Sequence, residues 1–297
     1  MIDQANRLRD LVEQQQMQKQ PKETSLPFER GTSRARTIAI TSGKGGVGKS
    51  NIALNLAIAL SLTESRVCLL DANFGLGSLD LLCGLNGYWN LSHVITGARQ
   101  LEEIMLAGPA GVRIIPGASG LAEMSHLSLS VQEDIFSQLE QIEASHDYII
   151  IDTGTGIHQS VGQFVTAADN VFVITTPEPT SITDAYAVIK TFMNYSTPRF
   201  EVIVNQAKTT EQGETIIKRL QTTSQLFLRS HITAAGVIPF DPAVPLSVSS
   251  RIPFLVSHPT ANVSRAITQI AQRIDRTQQK VSSKSYFPKV QQQYKAA

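Results

Sequence analysis

Residues 37–60 read TIAITSGKGGVGKSNIALNLAIAL, and this stretch decides the architecture. An apolar, β-branched run (37–41) meets a glycine-rich turn, and a segment with apolar residues at helical spacing follows. Gly43 through Ser50 satisfy G-x-x-x-x-G-K-[ST], the phosphate-cradling loop of a strand–loop–helix unit. Gly43, Gly45, Gly46 and Gly48, with Val47 among them, let successive N–H groups converge on phosphate oxygens. The helix that starts near Lys49 adds the positive end of its dipole. Lys49 is expected on the β- and γ-phosphates and the Ser50 hydroxyl on Mg²⁺, with Asn51 beside the nucleotide in the first turn.

Outward from this unit, further apolar runs occur at 66–71, 112–117, 148–152, 170–176, 200–205 and 231–239. Helical periodicity fills 131–144, 180–194, 211–228 and 260–274 between or after them. Strands without polar alternation, separated by helices, predict an α/β fold. Its sheet is mostly parallel and twisted, with helices on both faces, as in a P-loop NTPase.

Ahead of the domain, residues 1–13 space Ala5, Leu8, Leu11 and Val12 as one face of a short helix. Residues 14–36 are Gln-rich, lose periodicity and read as a flexible linker; 37–275 form the domain, and 276–297 a basic polar tail in which Pro288 interrupts any continuous helix. A helix on a tether cannot bury its apolar face alone, so it is expected to dock on a partner or back on its own domain.

The chain has 297 residues, and its charge is distributed unevenly. Residues 37–263 carry nineteen Asp/Glu against twelve Lys/Arg, whereas 264–297 carry one against seven. An acidic body argues against a domain that binds nucleic acid. No apolar run is long enough to span a bilayer, and two cysteines without a CxxC pair fit a reduced, cytosolic compartment.

Lys44 makes the loop more particular. The form KGGVGKS resembles the deviant Walker A of the MinD/ParA family, which implies ATP with Mg²⁺ and an ATP-dependent homodimer. Lys44 would reach the partner's phosphates in trans, as an arginine finger does. Asp152 ends YIIID as a Walker B carboxylate for Mg²⁺, the Gly154 N–H would sense the γ-phosphate, and Asp71 would touch the Mg²⁺ shell. By the same resemblance Asn205 reads adenine, Pro239 contacts the base through its backbone, and Glu178 lies near the ribose or the dimer seam.

Within the family, IDTGTGI, VITTPEPTSITDAYAVIK and DQANRLR look most like the FlhG (FleN, YlxH) regulators of flagellar number and placement. That likeness assigns Asp3, Gln4, Ala5, Leu8 and Arg9 to a helix that stimulates the signal-recognition-type GTPase FlhF. Flagellar switch components or a transcription activator are the other implied partners. One position departs from the family. The usual D-x-D after the second strand is Asp71-Ala72-Asn73, so the water-orienting carboxylate is missing unless a neighbour such as Asp80 replaces it. Slow ATP hydrolysis is the expectation. Family members also often end in a membrane-seeking helix. Here residues 276–297 offer little apolar area, so only weak peripheral contact with the inner membrane is expected.

Three other readings stand beside this one. A ParA-like DNA-partitioning ATPase conflicts with the acidic body, while another MinD-like positioning ATPase stands as an alternative. An iron–sulfur carrier needs paired cysteines, and Cys68 and Cys83 read as packing residues. A small-molecule kinase fits Lys44 poorly and lacks an evident lid.

Overall fold

Each apolar run forms a strand whose alternate residues leave on opposite sides of the sheet. Ile149 and Ile151 enter one core layer and Ile150 the other, and all three are fully buried. That is why the runs show no polar alternation. The computed structural model describes residues 34–73, 79–117, 128–193, 198–276 and 285–295. Asp3, Gln4, Ala5, Leu8 and Arg9 lie outside the described residues.

The order begins β1 (Arg36–Ser42), α1 (Lys49–Ser61) and β2 (Val67–Ala72). Three short helices follow, α2 (Leu79–Leu82), α3 (Leu91–Ile95) and α4 (Leu101–Ile104), then β3 (Leu106–Ala107) and β4 (Arg113–Ile115). Next come α5 (Leu129–Ser145), β5 (Tyr148–Thr155), α6 (Gln159–Ala167), β6 (Asn170–Thr175), α7 (Pro179–Met193) and β7 (Arg199–Ala207). The chain continues through α8 (Thr210–Leu228), β8 (Thr233–Pro239), α9 (Ala243–Ser250), α10 (Phe254–Ser257), α11 (Asn262–Arg276) and α12 (Tyr286–Lys295).

One 8-stranded sheet runs β3-β4-β2-β5-β1-β6-β7-β8. Every neighbouring pair is parallel except β3 with β4. Helices α1 and α11 cover one face, while α5, α6, α7, α8 and α12 cover the other. The mostly parallel α/β architecture agrees with the sequence reading. The two-residue β3 and the short helices escaped it, because elements this short carry no period.

Two boundaries differ from expectation. Residues 34–36, assigned to the linker, belong to the folded body. The Arg34 guanidinium bonds Glu143 at 3.1 Å and Asp169 at 2.6 Å, and Arg36 donates to the Ile274 carbonyl at 2.9 Å. The tail, read as polar and without a continuous helix, contains α12. Pro288 sits in its first turn, where an N–H has no intrahelical acceptor to lose.

Tyr286, Phe287 and Val290 of α12 are fully buried against the body, and the Tyr286 hydroxyl donates to the Phe164 carbonyl at 3.0 Å. These three apolar residues of the tail are therefore covered in this conformation and not presented to a membrane. Buried Glu143 holds the helix start, accepting from Ser285 Oγ at 2.6 Å and from the Tyr286 N–H at 2.9 Å. A carboxylate at a helix N-terminus is favourable, and Arg34 neutralises it from the other side. Glu143→Ala would take from Arg34 one of its two carboxylate partners and leave the helix start without this buried acceptor, at a cost of about 3 kcal/mol. The expected result is a lower thermal midpoint and faster proteolytic trimming from the C-terminus; unchanged trimming would contradict this role.

Candidate functional site

The loop Gly43–Gly48 leaves the carboxyl end of β1, which lies between β5 and β6 in the middle of the sheet. Ligands of open α/β sheets gather at this edge. Gly48 has φ +89° and caps α1, and a Cβ there would lie 2.5 Å from the Asn205 amide nitrogen. Gly43 is held as closely, since a Cβ on it would collide with the backbone carbonyl of Asp184 in α7. The loop is thus clamped by α7 on one side and by the end of β7 on the other.

Below the loop the carboxylates meet. Asp71 and Asp152 lie toward the carboxyl ends of neighbouring strands β2 and β5 and stand opposite one another in register. Both are almost fully buried. The Lys49 ammonium bonds Asp152 Oδ1 at 2.7 Å and also donates to the Thr153 carbonyl. Asp71 accepts from the Asn73 N–H at 3.1 Å, and its carboxyl is pushed up to about 7, by burial first and by the charge of Asp152 second.

The raised value makes this carboxyl hold its proton in the folded state at pH values where the unfolded chain has released it. Its stabilising contribution is full below about pH 4 and is lost as pH rises toward 7. In nucleotide-free protein the thermal midpoint should therefore fall by about 2–5 °C between pH 5.5 and 8. Asp71→Asn should flatten that slope, and a slope of the same size in the variant would contradict the assignment.

Asp152 Oδ2 is buried and has no hydrogen-bond partner among the described residues. An unpaired carboxylate oxygen beside a second carboxylate, with the Ser50 hydroxyl on the adjoining helix start, is a donor set that suits Mg²⁺. Asn73 and Gly154 are neighbours, the Asn73 Oδ1 lying 3.8 Å from the position of a Cβ on Gly154. Asp80 lies instead on α2, its Oδ2 3.3 Å from the Cβ position of Gly87.

Lys44 is paired within its own chain. Its ammonium lies 2.5 Å from Glu178 Oε1 and 3.3 Å from Thr180 Oγ1, both beside the start of α7. That contact holds the Glu178 carboxyl below the usual range. Both side chains are well exposed, at 37% and 53%, so the pair contributes little and can open cheaply.

A cavity of about 410 Å³ opens beside the loop. Ile52, Ile238, Val244, Pro245, Phe254 and Val263 supply apolar walls, and Asn51, Asn205, Gln206 and Pro239 reach its rim. Two side chains hold these walls. Asp241 accepts from the Ala243 N–H at 2.9 Å and the Val263 N–H at 3.3 Å, joining α9 to α11. Buried Asn55 accepts from the Leu255 N–H at 2.9 Å and fastens α10 to α1. The sequence marked Asp241 only as the end of GVIPFD (236–241), a segment that resembles the family's loop around the base, and did not mark Asn55, because an Asn inside a helical period has no signature of its own. Asn205, expected to read a base, donates its Nδ2 to the Val47 carbonyl at 2.8 Å.

The fold and this loop define a P-loop NTPase. The family profile described as "ParA: NUBPL iron-transfer P-loop NTPase" matches residues 33–275, and the chain belongs to the ParA/MinD family. It is 39% identical over 241 residues to the antiactivator FleN of Pseudomonas aeruginosa, covering 81% of this chain and 86% of that one. It is 38% identical to the flagellum site-determining protein YlxH of Helicobacter pylori, covering 74% and 72%. In structure it is similar to the MinC:MinD cell division protein complex of Aquifex aeolicus, with TM-score 0.66, 27% identity and coverage of 85% and 100%. MinD complexed with Mg-ADP from Pyrococcus horikoshii shares the fold, with TM-score 0.67, 21% identity and coverage of 84% and 100%.

Iron transfer, printed in the profile's description, finds no thiol pair here. Cys68 is buried within β2, Cys83 is half-buried, and burial pushes both thiols up to about 12. No helix among the described residues is long and apolar enough to cross a membrane.

Proposed function

We propose that this protein is an ATP-dependent dimerising switch that regulates flagellar number or placement through partner proteins. The observation that carries the nucleotide half is the buried Lys49–Asp152–Asp71 group, with its unpaired Asp152 oxygen, at the mouth of the phosphate loop and beside an apolar cavity. The flagellar half rests on the similarity to FleN and YlxH.

The loop N–H groups and Lys49 would hold the phosphates, and the cavity would take the base. Mg²⁺, held by Ser50, Asp152 and the Asp71 side of the site, would neutralise phosphate charge. Lys44 would exchange its weak bond to Glu178 for the phosphates of a sister subunit, which makes closure of the dimer depend on the triphosphate. Glu178, released by this exchange, would lie at the seam. The N-terminal residues Asp3, Gln4, Ala5, Leu8 and Arg9 would act on an FlhF-type GTPase, and Asn73 would keep hydrolysis slow.

Light scattering after size exclusion tests the switch. The full chain should be monomeric with MgADP and dimeric with MgATP, while Lys44→Ala should bind ATP and remain monomeric. A monomer in both nucleotides would overturn the proposal. Its partner half is read from GTP turnover of an FlhF-type GTPase with and without residues 1–13.

A further inference from the structure

Among the described residues, five other than glycine have left-handed backbone, and four of them lie in turns or at helix ends. Glu64 and Ala110 are in turns, while Arg229 and Arg251 are the C-caps of α8 and α9. The fifth, Gln206, has φ +58° inside strand β7. Left-handed backbone is disfavoured for a side chain of this kind, and within a strand it needs a local cause.

The pairing supplies that cause. Val204 is opposite Val237 and Ala207 is opposite Pro239, so Asn205 and Gln206 together oppose the single residue Ile238. This is a β-bulge, a device that re-aims side chains next to sites. In a regular strand Asn205 and Gln206 would leave on opposite faces; here both line the cavity beside the phosphate loop.

The two amides are engaged differently. Asn205 Nδ2 is bound to the Val47 carbonyl, an acceptor that only the amide nitrogen can meet, so this side chain joins β7 to the loop. Gln206 is exposed, and no hydrogen bond to its side chain is found among the described residues. We infer that Gln206, aimed by the bulge, reads the base edge and selects adenine over guanine, with Asn205 as the clasp that positions it. A glutamine amide presents one acceptor beside one donor, which matches the amino donor and ring-nitrogen acceptor of adenine. Guanine presents O6 and N7, two acceptors side by side, and so meets the amide oxygen with repulsion. The inference rests on the nucleotide reading above.

Calorimetry of the full chain with MgADP and with MgGDP tests it, with thermal midpoints measured in parallel. The wild type should prefer ADP. Gln206→Ala, which keeps the strained backbone, and Gln206→Gly, which relieves it, should both lose about tenfold or more of that preference while GDP affinity stays level. Gln206→Gly should also melt about 2–4 °C higher, separating relief of strain from loss of the amide. Retention of the full preference by either variant, or equal binding of both nucleotides by the wild type, would overturn the inference and leave nucleotide binding intact. A wild type that binds neither nucleotide would fail the nucleotide reading itself, and this inference with it.

Discussion

Asn73→Asp should raise ATP turnover by about 10²- to 10⁴-fold, the usual contribution of a positioned acid–base group. Asn73 follows directly on β2, with its N–H on Asp71 and its Oδ1 beside Gly154, so a carboxylate placed there stands within the same group of residues. The amide can accept a hydrogen bond from water but has little proton affinity, and it adds no negative charge. Binding should change far less than rate, because the loop, Lys49 and Asp152 are untouched. Phosphate release by the full chain under saturating MgATP measures the rate, and nucleotide titration measures binding. An unchanged rate at unchanged binding would show that the missing carboxylate does not limit hydrolysis, or that another group already supplies it.

Lys49→Met should lower affinity for MgATP by about 10²-fold or more, since removing one partner of a buried charged contact costs roughly 2–5 kcal/mol. It should also destabilise the empty protein by about 3–5 kcal/mol. Without ligand the ammonium is bound to Asp152 Oδ1 and the Thr153 carbonyl, and only 5% of its side chain is exposed. Methionine of similar length fills the volume but leaves Asp152 and Asp71 opposite one another without a cation between them. The two effects separate in pH. The stability loss should shrink at low pH, where protonation removes the repulsion, whereas the loss of phosphate contacts should remain. Thermal melts at pH 5 and pH 8, alongside titration at pH 7.5, check both parts. A variant as stable as the wild type at pH 8 would contradict the structural role.

Most of the phosphate site was legible in the residues themselves. The loop from Gly43 to Ser50 is contiguous, so its chemistry lies in one short string. Asp71 and Asp152 were legible for a related reason, because each ends an apolar run and parallel strands deliver their last residues to one edge. Positions around the cavity were harder. Asn205 and Pro239 were named through family likeness and line it, but Asn205 is tied to the loop, and its neighbour Gln206 carried no signal because bulges are set by pairing with another strand. The bracing roles of Asp241 and Asn55 were not legible, because Val263 and Leu255, which donate to them, belong to helices farther along the chain.

Sequence alone determined the strand and helix layout of the domain, the phosphate loop and the carboxylates that follow it, since these depend on local periodicity and on contiguous residues. Only the tertiary structure decided the rest. It set the pairing of Lys44 with Glu178, 134 residues away, the bulge that turns Gln206 into the cavity, and the hold of Glu143 on Arg34 and on the start of α12. Each of these depends on which groups, distant in sequence, the fold brings side by side, and neither periodicity nor spacing encodes that proximity.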